Sequence, residues 1–434
     1  MTRSRPFCDG IQRRDFLRVG AAGAFGWSAT LPLALQQQAL AAAAGENNPS
    51  DDVSVIYLFL LGGLSTIDTF DLKPDAPSEV RGEFSSISTN VPGIEVCEHL
   101  PFSAQHADKF ALIRSFAHGN SGHGAADKYM LTGHLNEARP AFGSVASHTY
   151  GSRGTVPPYV VLPAMHASAG PQFLGSSAAP FLIDADPSFP GFSVPDLAPP
   201  LDIDGSRLSN RRGLLRTVDR FQRQVETRGK AGAYNKFRER AFTLMTSPEA
   251  KKAFDLQSEP EPARRAYGNN TLGQSCLLAR RLVESGSRYV MINHNNWDTH
   301  ANNFGDLKTN LLPHLDKALA ELLRDLADRG MLEKTLVVIS GEFGRTPKIN
   351  KDAGRDHWGP CFTLTLAGGG IQGGRVVGTS DEWAAKPKDN PIGPKDFAAT
   401  MFHLLGIDTE KLLYTLDKRP IKLLDGGRVI EELL

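Results

Sequence analysis

Twelve histidines occur in this chain of 434 residues, and five of them, His99, His106, His118, His123 and His134, crowd into one stretch. Two further stretches, Trp297-Asp298-Thr299-His300 and Gly354-Arg355-Asp356-His357-Trp358, set imidazole beside carboxylate at short spacing. That pairing is the ligand chemistry of zinc, manganese or a similar divalent ion. Asp68 and Asp71, after the Gly62-Gly63 pair, and Glu342, after Gly341, add carboxylates that also suit a harder ion such as calcium. Arg345 and Arg355 carry planar forks that match the oxygens of phosphate or sulfate, and Arg114 and His118 precede the glycine-flanked Ser121 and His123. If Gly122 to Gly124 turn into a helix, Ser121 or His123 meets free N–H groups and the positive end of the helix dipole. A nucleophile there faces an anionic centre.

Each group has a simpler use. An aspartate pair after a strand is commonly a turn or a helix cap, a single histidine at a helix start is commonly a cap, and a lone arginine is commonly half of a salt bridge. Their recurrence in comparable places is what points to a ligand site.

The places are the ends of strands. Val53 to Leu61 is a continuous apolar run rich in β-branched and aromatic residues, as in a strand buried on both faces. Similar runs lie at 110–114, 159–162, 289–293, 335–340 and 362–367, with helical patterns at 124–131, 272–285, 303–329 and 395–405. Alternating strand and helix predict an α/β fold, a mostly parallel sheet covered by helices on both faces. Ligands of such sheets bind beyond the carboxyl ends of the strands. Residues 45–434 are expected to form one domain, with surface helices inserted at about 206–267. The arginines from Arg207 to Arg223 are diluted by Asp219 and Glu226, which favours a solvated helical face over an anion-binding one.

Composition narrows the classes. Lys and Arg number 48 against 48 Asp and Glu, 41% of residues are hydrophobic and 22% are charged, which describes a globular chain and excludes a disordered or coiled-coil one. No basic or aromatic stripe appears, so no nucleic-acid partner is expected. Four cysteines, Cys8, Cys97, Cys276 and Cys361, form neither a CxxC pair nor a disulfide framework.

Arg13-Arg14-Asp15-Phe16-Leu17 stands before a charge-free stretch from Val19 to Ala44. This layout resembles the bacterial twin-arginine export signal, and cleavage is expected near Ala41 to Ala44. Gly20, Gly23, Gly26, Pro32 and three glutamines interrupt the apolar region, so no stable transmembrane segment is expected in the mature chain. A periplasmic or extracellular protein, exported folded by the twin-arginine machinery, follows from that reading.

Taken together, the leader, Gly-Gly-x-Ser-x-x-Asp-Thr-Phe-Asp-x-Lys-Pro at 62–74, Ala-Arg-Arg-Leu-Val-Glu-x-Gly at 279–286, Trp-Asp-Thr-His at 297–300, Gly-Glu-Phe-Gly-Arg-Thr-Pro at 341–347 and Gly-Arg-Asp-His-Trp at 354–358 are similar to a large bacterial family of uncharacterised exported proteins, a domain of unknown function usually placed in the alkaline phosphatase and sulfatase superfamily. The resemblance implies an alkaline phosphatase/sulfatase-like sheet in which one or two divalent metal ions bind phosphate or sulfate. It implies Asp298, His300 and His357 as ligands of one metal, and Glu342 with Asp68 or Asp71 at a second or shared one. Ser121 or His123 would then face the substrate with Arg345 supporting developing charge, and Arg114, His118 and Arg355 would bind the anion.

Two departures bear on mechanism. Sulfatases carry Cys or Ser where this chain has His123, and formylglycine cannot form at histidine. Phosphatases carry Asp-His where this chain has Glu342-Phe343, and phenylalanine cannot bind metal. Three routes remain: attack by Ser121 or His123, attack by a water activated at the metal, or a pocket kept without turnover. The leading expectation is an exported metal-dependent hydrolase of sulfate or phosphate esters acting on a small-molecule or glycan anionic ester. The alternative is a non-catalytic envelope protein of the same fold that binds an anion, glycan or protein partner.

Overall fold

The computed structural model describes residues 52–194, 243–415 and 417–434. The leader expected at 1–44 and the first part of the expected insertion, 206–242, lie outside the described residues.

Every residue of Ser54–Leu60 (β1) is buried, which explains the unbroken apolar run: a strand covered on both faces has no solvent side to mark with polar residues. It stands inside an eight-stranded sheet with Phe110–Phe116 (β2), Tyr159–Leu162 (β3), Phe181–Leu182 (β4), Tyr289–His294 (β5), Thr335–Ser340 (β6), Phe362–Ala367 (β7) and Arg375–Val377 (β8). The spatial order is β8-β2-β7-β6-β1-β5-β3-β4. β1 runs parallel to β5, with Val55 opposite Tyr289, and parallel to β6, with Ser54 opposite Thr335. The parallel run continues through β3 and β4.

β7 departs from the parallel expectation. It is antiparallel to both β6 and β2, so the sheet is mixed with a mostly parallel core. The reversal places the start of β7, not its end, on the rim formed by the carboxyl ends of β1, β5 and β6.

Side chains of β1 alternate between two cores, as the period of two demands. Ile56, Leu58 and Leu60 share one with Val290, Ile292, Val337 and Ile339, beneath helices Thr271–Glu284 and Leu312–Asp328. Val55, Tyr57 and Phe59 share the other with Met291 and Val338, beneath His123–Thr132 (α1), Phe142–Tyr150 (α2) and Pro394–Leu404. With helices Thr271–Glu284, Leu312–Asp328 and Pro394–Leu404 numbered α3, α4 and α5, the layers are α3 and α4, sheet, then α1, α2 and α5. Leu312, Leu315, Leu319, Leu322 and Leu326 form the buried stripe of α4 at helical spacing. Burying each such side chain contributes about 1.5–3 kcal/mol before the entropy of ordering is subtracted.

The second part of the insertion is built differently from a solvated face. Helices Pro248–Phe254 and Glu261–Tyr267 bury Ala250, Phe254 and Tyr267 in the core beside α3. Between them Glu259 accepts hydrogen bonds from Arg280, at 2.8 Å, and from Arg281. Charge along this stretch is therefore partly spent on packing contacts. No helix among the described residues is long and apolar enough to cross a membrane.

Candidate metal and ester site

The rim begins with the turn after β1. Gly62 has φ +111° and a Cβ there would lie 2.3 Å from the Asp298 nitrogen; Gly63 has φ +90° and its Cβ would lie 2.7 Å from the Phe343 ring. Only glycine meets both the left-handed backbone and the close approach. The turn aims the Gly62 N–H at Glu342, 2.9 and 3.1 Å from its two carboxylate oxygens. Glu342 is wholly buried.

That carboxylate holds the first residue of α1. The helix starts at His123 because Gly122 is extended, and ends where Gly133 turns left-handed at φ +75°. His123 Nδ1 lies 2.7 Å from Glu342 Oε1. Two more rings arrive from the other stretches: His300 Nδ1 lies 2.6 Å from Asp356 Oδ1, and His357 Nδ1 lies 3.0 Å from the Ser121 carbonyl. Carboxylates and carbonyls only accept hydrogen bonds, so all three Nδ1 atoms carry their ring's hydrogen.

The Nε2 lone pairs are thereby turned onto Asp298. His357 Nε2 stands 2.9 Å and His300 Nε2 3.1 Å from Asp298 Oδ1, and His123 Nε2 stands 3.4 Å from Oδ2. The His300 and His357 Nε2 atoms are themselves 2.9 Å apart. Three lone pairs and a carboxylate have no donor among them and repel one another unless a cation or added protons lie between. Ligand atoms of His123, Asp298 and His357 fall within 4.8 Å of one another, and each ring is oriented from behind by an acceptor, as metal-binding imidazoles are. The residues present fit a divalent cation.

Charge at the cluster follows the same logic. Burial pushes the Asp298 carboxyl up, but the Arg345 guanidinium leads the effects that outweigh it and bring the group down to about 2. The hydrogen bond to Glu342 raises His123 against the opposing effect of burial. Phe343, with no solvent exposure, stacks on His357 at 4.3 Å between ring centroids and lies 5.2 Å from His123. Where a ligand would be lost in a second metal site, this ring walls the first.

Other expected site residues are placed elsewhere. Asp68 and Arg355 form a fully buried two-pronged ion pair at 2.7 and 2.8 Å, and Arg355 also donates to the carbonyls of Thr346, Pro347 and Val80. Neither has a group left for a metal or a substrate. Asp71 accepts from Lys73 at 2.9 Å and from Ser380, with Arg114 at 3.5 Å. Arg114 donates to the Phe70 and Glu95 carbonyls, so both stand apart from the cluster. Arg345, expected beside the reacting atoms, is buried and donates to the carbonyls of Gly62, Gly63, Trp297 and Arg355 as well as to Asp298; it positions Asp298. His118 accepts from the Asn120 N–H on Nδ1, so its Nε2–H donates to the Glu342 carbonyl at 2.7 Å and faces away from any anion. Ser121 lends its carbonyl to His357, and its Oγ accepts from the Gly359 N–H at 3.0 Å.

Gly62, His123 and Asp298 line one cleft of about 1100 Å³, which also takes in Asp127, His166 and His294. Asp127 and His166 are marked by no residue pattern, and Asp356 and Phe343, which stand inside the motifs, serve as the partner of His300 and the wall behind His357. Asp356 stood in plain view, next to His357.

The chain matches, over residues 52–434, the family model described as protein of unknown function (DUF1501), in keeping with the resemblance read from its motifs. The search of curated proteins gives no match. Among solved structures it is similar to the PsFucS1 sulfatase from Pseudoalteromonas sp., at 12% identity over 86% of this chain and 70% of that one, with a TM-score of 0.35. It is also similar to the phosphonate monoester hydrolase SpPMH from Silicibacter pomeroyi, at 13% identity over 87% and 76%, TM-score 0.34. A third is the lipoteichoic acid synthase LtaP from Listeria monocytogenes, at 10% identity over 83% and 74%, TM-score 0.35.

Proposed function

We propose that this chain, which belongs to the DUF1501 family, is a hydrolase of phosphate or sulfate esters that works with a divalent cation. One observation carries the reading: three imidazoles with every Nδ1 hydrogen given away turn their Nε2 lone pairs onto one carboxylate. His123, Asp298, His300 and His357 would hold the cation. Bound there, it supplies a Lewis acid for a phosphoryl or sulfuryl oxygen and a means of activating water at neutral pH.

The chain's own groups set the stage. Glu342, fixed by the Gly62 N–H, holds His123 in its ligand tautomer, and Asp356 does the same for His300. Arg345 keeps Asp298 ionised and in place. With His123 held at Nδ1 by Glu342 and its Nε2 turned to the cation, and with Ser121 Oγ engaged by the Gly359 N–H, water is favoured over either side chain as the attacking group. The cleft beside Asp298 admits the ester. The Arg13-Arg14 leader supports export in the folded state to the periplasm or beyond, with the cation loaded before export.

Metal analysis of the purified protein and assays on aryl phosphates, aryl sulfates and phosphodiesters test the reading. Bound divalent ion, with turnover lost in folded His300→Ala and His357→Ala, is the expected result. A protein with no affinity for any divalent ion overturns it.

A further inference from the structure

The cleft continues past the cation cluster into a wall that the ester chemistry does not use. Asp127 sits four residues after His123 on α1, one turn along the same face. It is 6% exposed and lines the cleft, yet its Oδ1 has no hydrogen-bond partner. Its Oδ2 lies 3.5 Å from His166 Nε2. His166 Nδ1 accepts from the Ser168 N–H at 3.0 Å, so the hydrogen of that ring is on Nε2. His294, on the same wall, accepts from the Trp297 indole N–H at 3.0 Å on Nδ1, which puts its hydrogen on Nε2 too. Burial brings His294 down to about 4, so it is neutral in neutral solution.

The cleft thus presents a carboxylate with an unmet acceptor, two imidazole N–H donors and the exposed amides Asn295, Asn296 and Asn310, and no Lys or Arg is among the described residues that line it. A buried acceptor without a partner is left short of the hydrogen bonds it had in water, a loss that a ligand donating to it recovers. A hydroxyl donates to Asp127 and accepts from an imidazole N–H at once. An apolar chain leaves both unmet, and at this wall a polyanion meets the Asp127 carboxylate with no Lys or Arg to offset it. The volume of about 1100 Å³ is at the upper end of small-ligand pockets, room for more than one ring.

We infer that the Asp127 and His166 wall is a hydroxyl-reading subsite that binds an uncharged saccharide, the part of the substrate that carries the ester. The assignment of that saccharide to an ester rests on the hydrolase reading; the sugar site itself does not.

Calorimetry on the full chain, before and after chelator treatment, with cellohexaose, chitohexaose and mannohexaose as neutral probes, and a heparin hexasaccharide and phosphocholine as charged ones, tests it. At least one neutral hexasaccharide binds saturably in both preparations, and Asp127→Ala weakens it at least ~10-fold. The near-isosteric Asp127→Asn, checked for an unchanged melting temperature, also weakens it and guards against a folding artefact. No saturable binding by any neutral probe, tighter binding of the heparin fragment or phosphocholine than of every neutral probe by the chelator-treated protein, or unchanged affinity in both folded variants overturns the inference. Sugar binding without cleavage of any aryl ester sinks the hydrolase reading and leaves this one standing; cleavage without sugar binding does the reverse.

Discussion

His123 Nδ1 is held 2.7 Å from a Glu342 carboxylate that has no solvent exposure and that also accepts from the Gly62 N–H. Two donors therefore converge on one acceptor-only group. In Glu342→Gln the charge is lost and the amide N–H₂ faces a donor either way: at the Oε2 position it meets the Gly62 N–H, and at the Oε1 position it meets both Gly62 and His123. In the first orientation His123 keeps only a neutral acceptor; in the second the N–H₂ forces the ring hydrogen onto Nε2, where the lone pair was. Affinity for a divalent cation is expected to fall about 10–100-fold, as for other orienting partners of metal-binding histidines. Chelator competition against the wild-type protein measures it, and unchanged affinity would show that Glu342 does not set the tautomer.

Gly62→Ala is expected to damage fold and site together. The alanine must take φ +111° and place its Cβ 2.3 Å from the Asp298 nitrogen. Strain at such a backbone position costs roughly 1–3 kcal/mol before the clash is counted. A denaturant titration should show at least that loss, with weaker cation binding in the protein that remains folded.

Arg355→Met separates a structural role from a substrate-binding one. It leaves Asp68 charged and buried without its partner, a change that costs about 3–5 kcal/mol in comparable buried pairs. The double variant Asp68→Asn with Arg355→Met should recover part of that loss. If Arg355→Met instead melts like the wild type and only raises KM, the arginine faces substrate after all.

His294 gives the fold a pH dependence of known sign. Its folded pKa is lowered from 6.5 to about 4, first by burial and then by His314, so between those values the unfolded chain binds a proton that the folded one does not. Stability from this group is full above about pH 6.5 and is lost as the pH falls toward about 4, a change of roughly 3 kcal/mol. Melting curves of His294→Gln against wild type should show a shallower decline across that window. Parallel curves would mean that His294 does not supply it.

Much of the fold was legible because burial on both faces writes itself as unbroken apolar runs, and the six runs from Val53 to Ala367 coincide with strands. β4 and β8 were not, since two or three residues at a sheet edge carry no such run. Nor was the direction of β7, because periodicity has no arrow. At the rim, residue type separates the members of the cluster from residues tied up in ion pairs poorly. Asp68 and Asp298 look alike in sequence, and only the position of Arg355 and of three imidazoles tells them apart. The Ser121 carbonyl that fixes His357 is invisible in principle, since every residue has one. His166 and Asp127 meet at 3.5 Å from different parts of the chain, so no spacing announces them.

The reversed strand has a last consequence. Because β7 begins on the rim where β6 ends, residues 341–361 leave and re-enter the sheet at the same edge. That single excursion delivers Glu342, Phe343, Arg345, Asp356 and His357. It is one insert on two neighbouring strands, pinned by Arg345 at the turn after β1 and by Arg355 on Asp68, so the rim takes five of its groups from a single segment of chain.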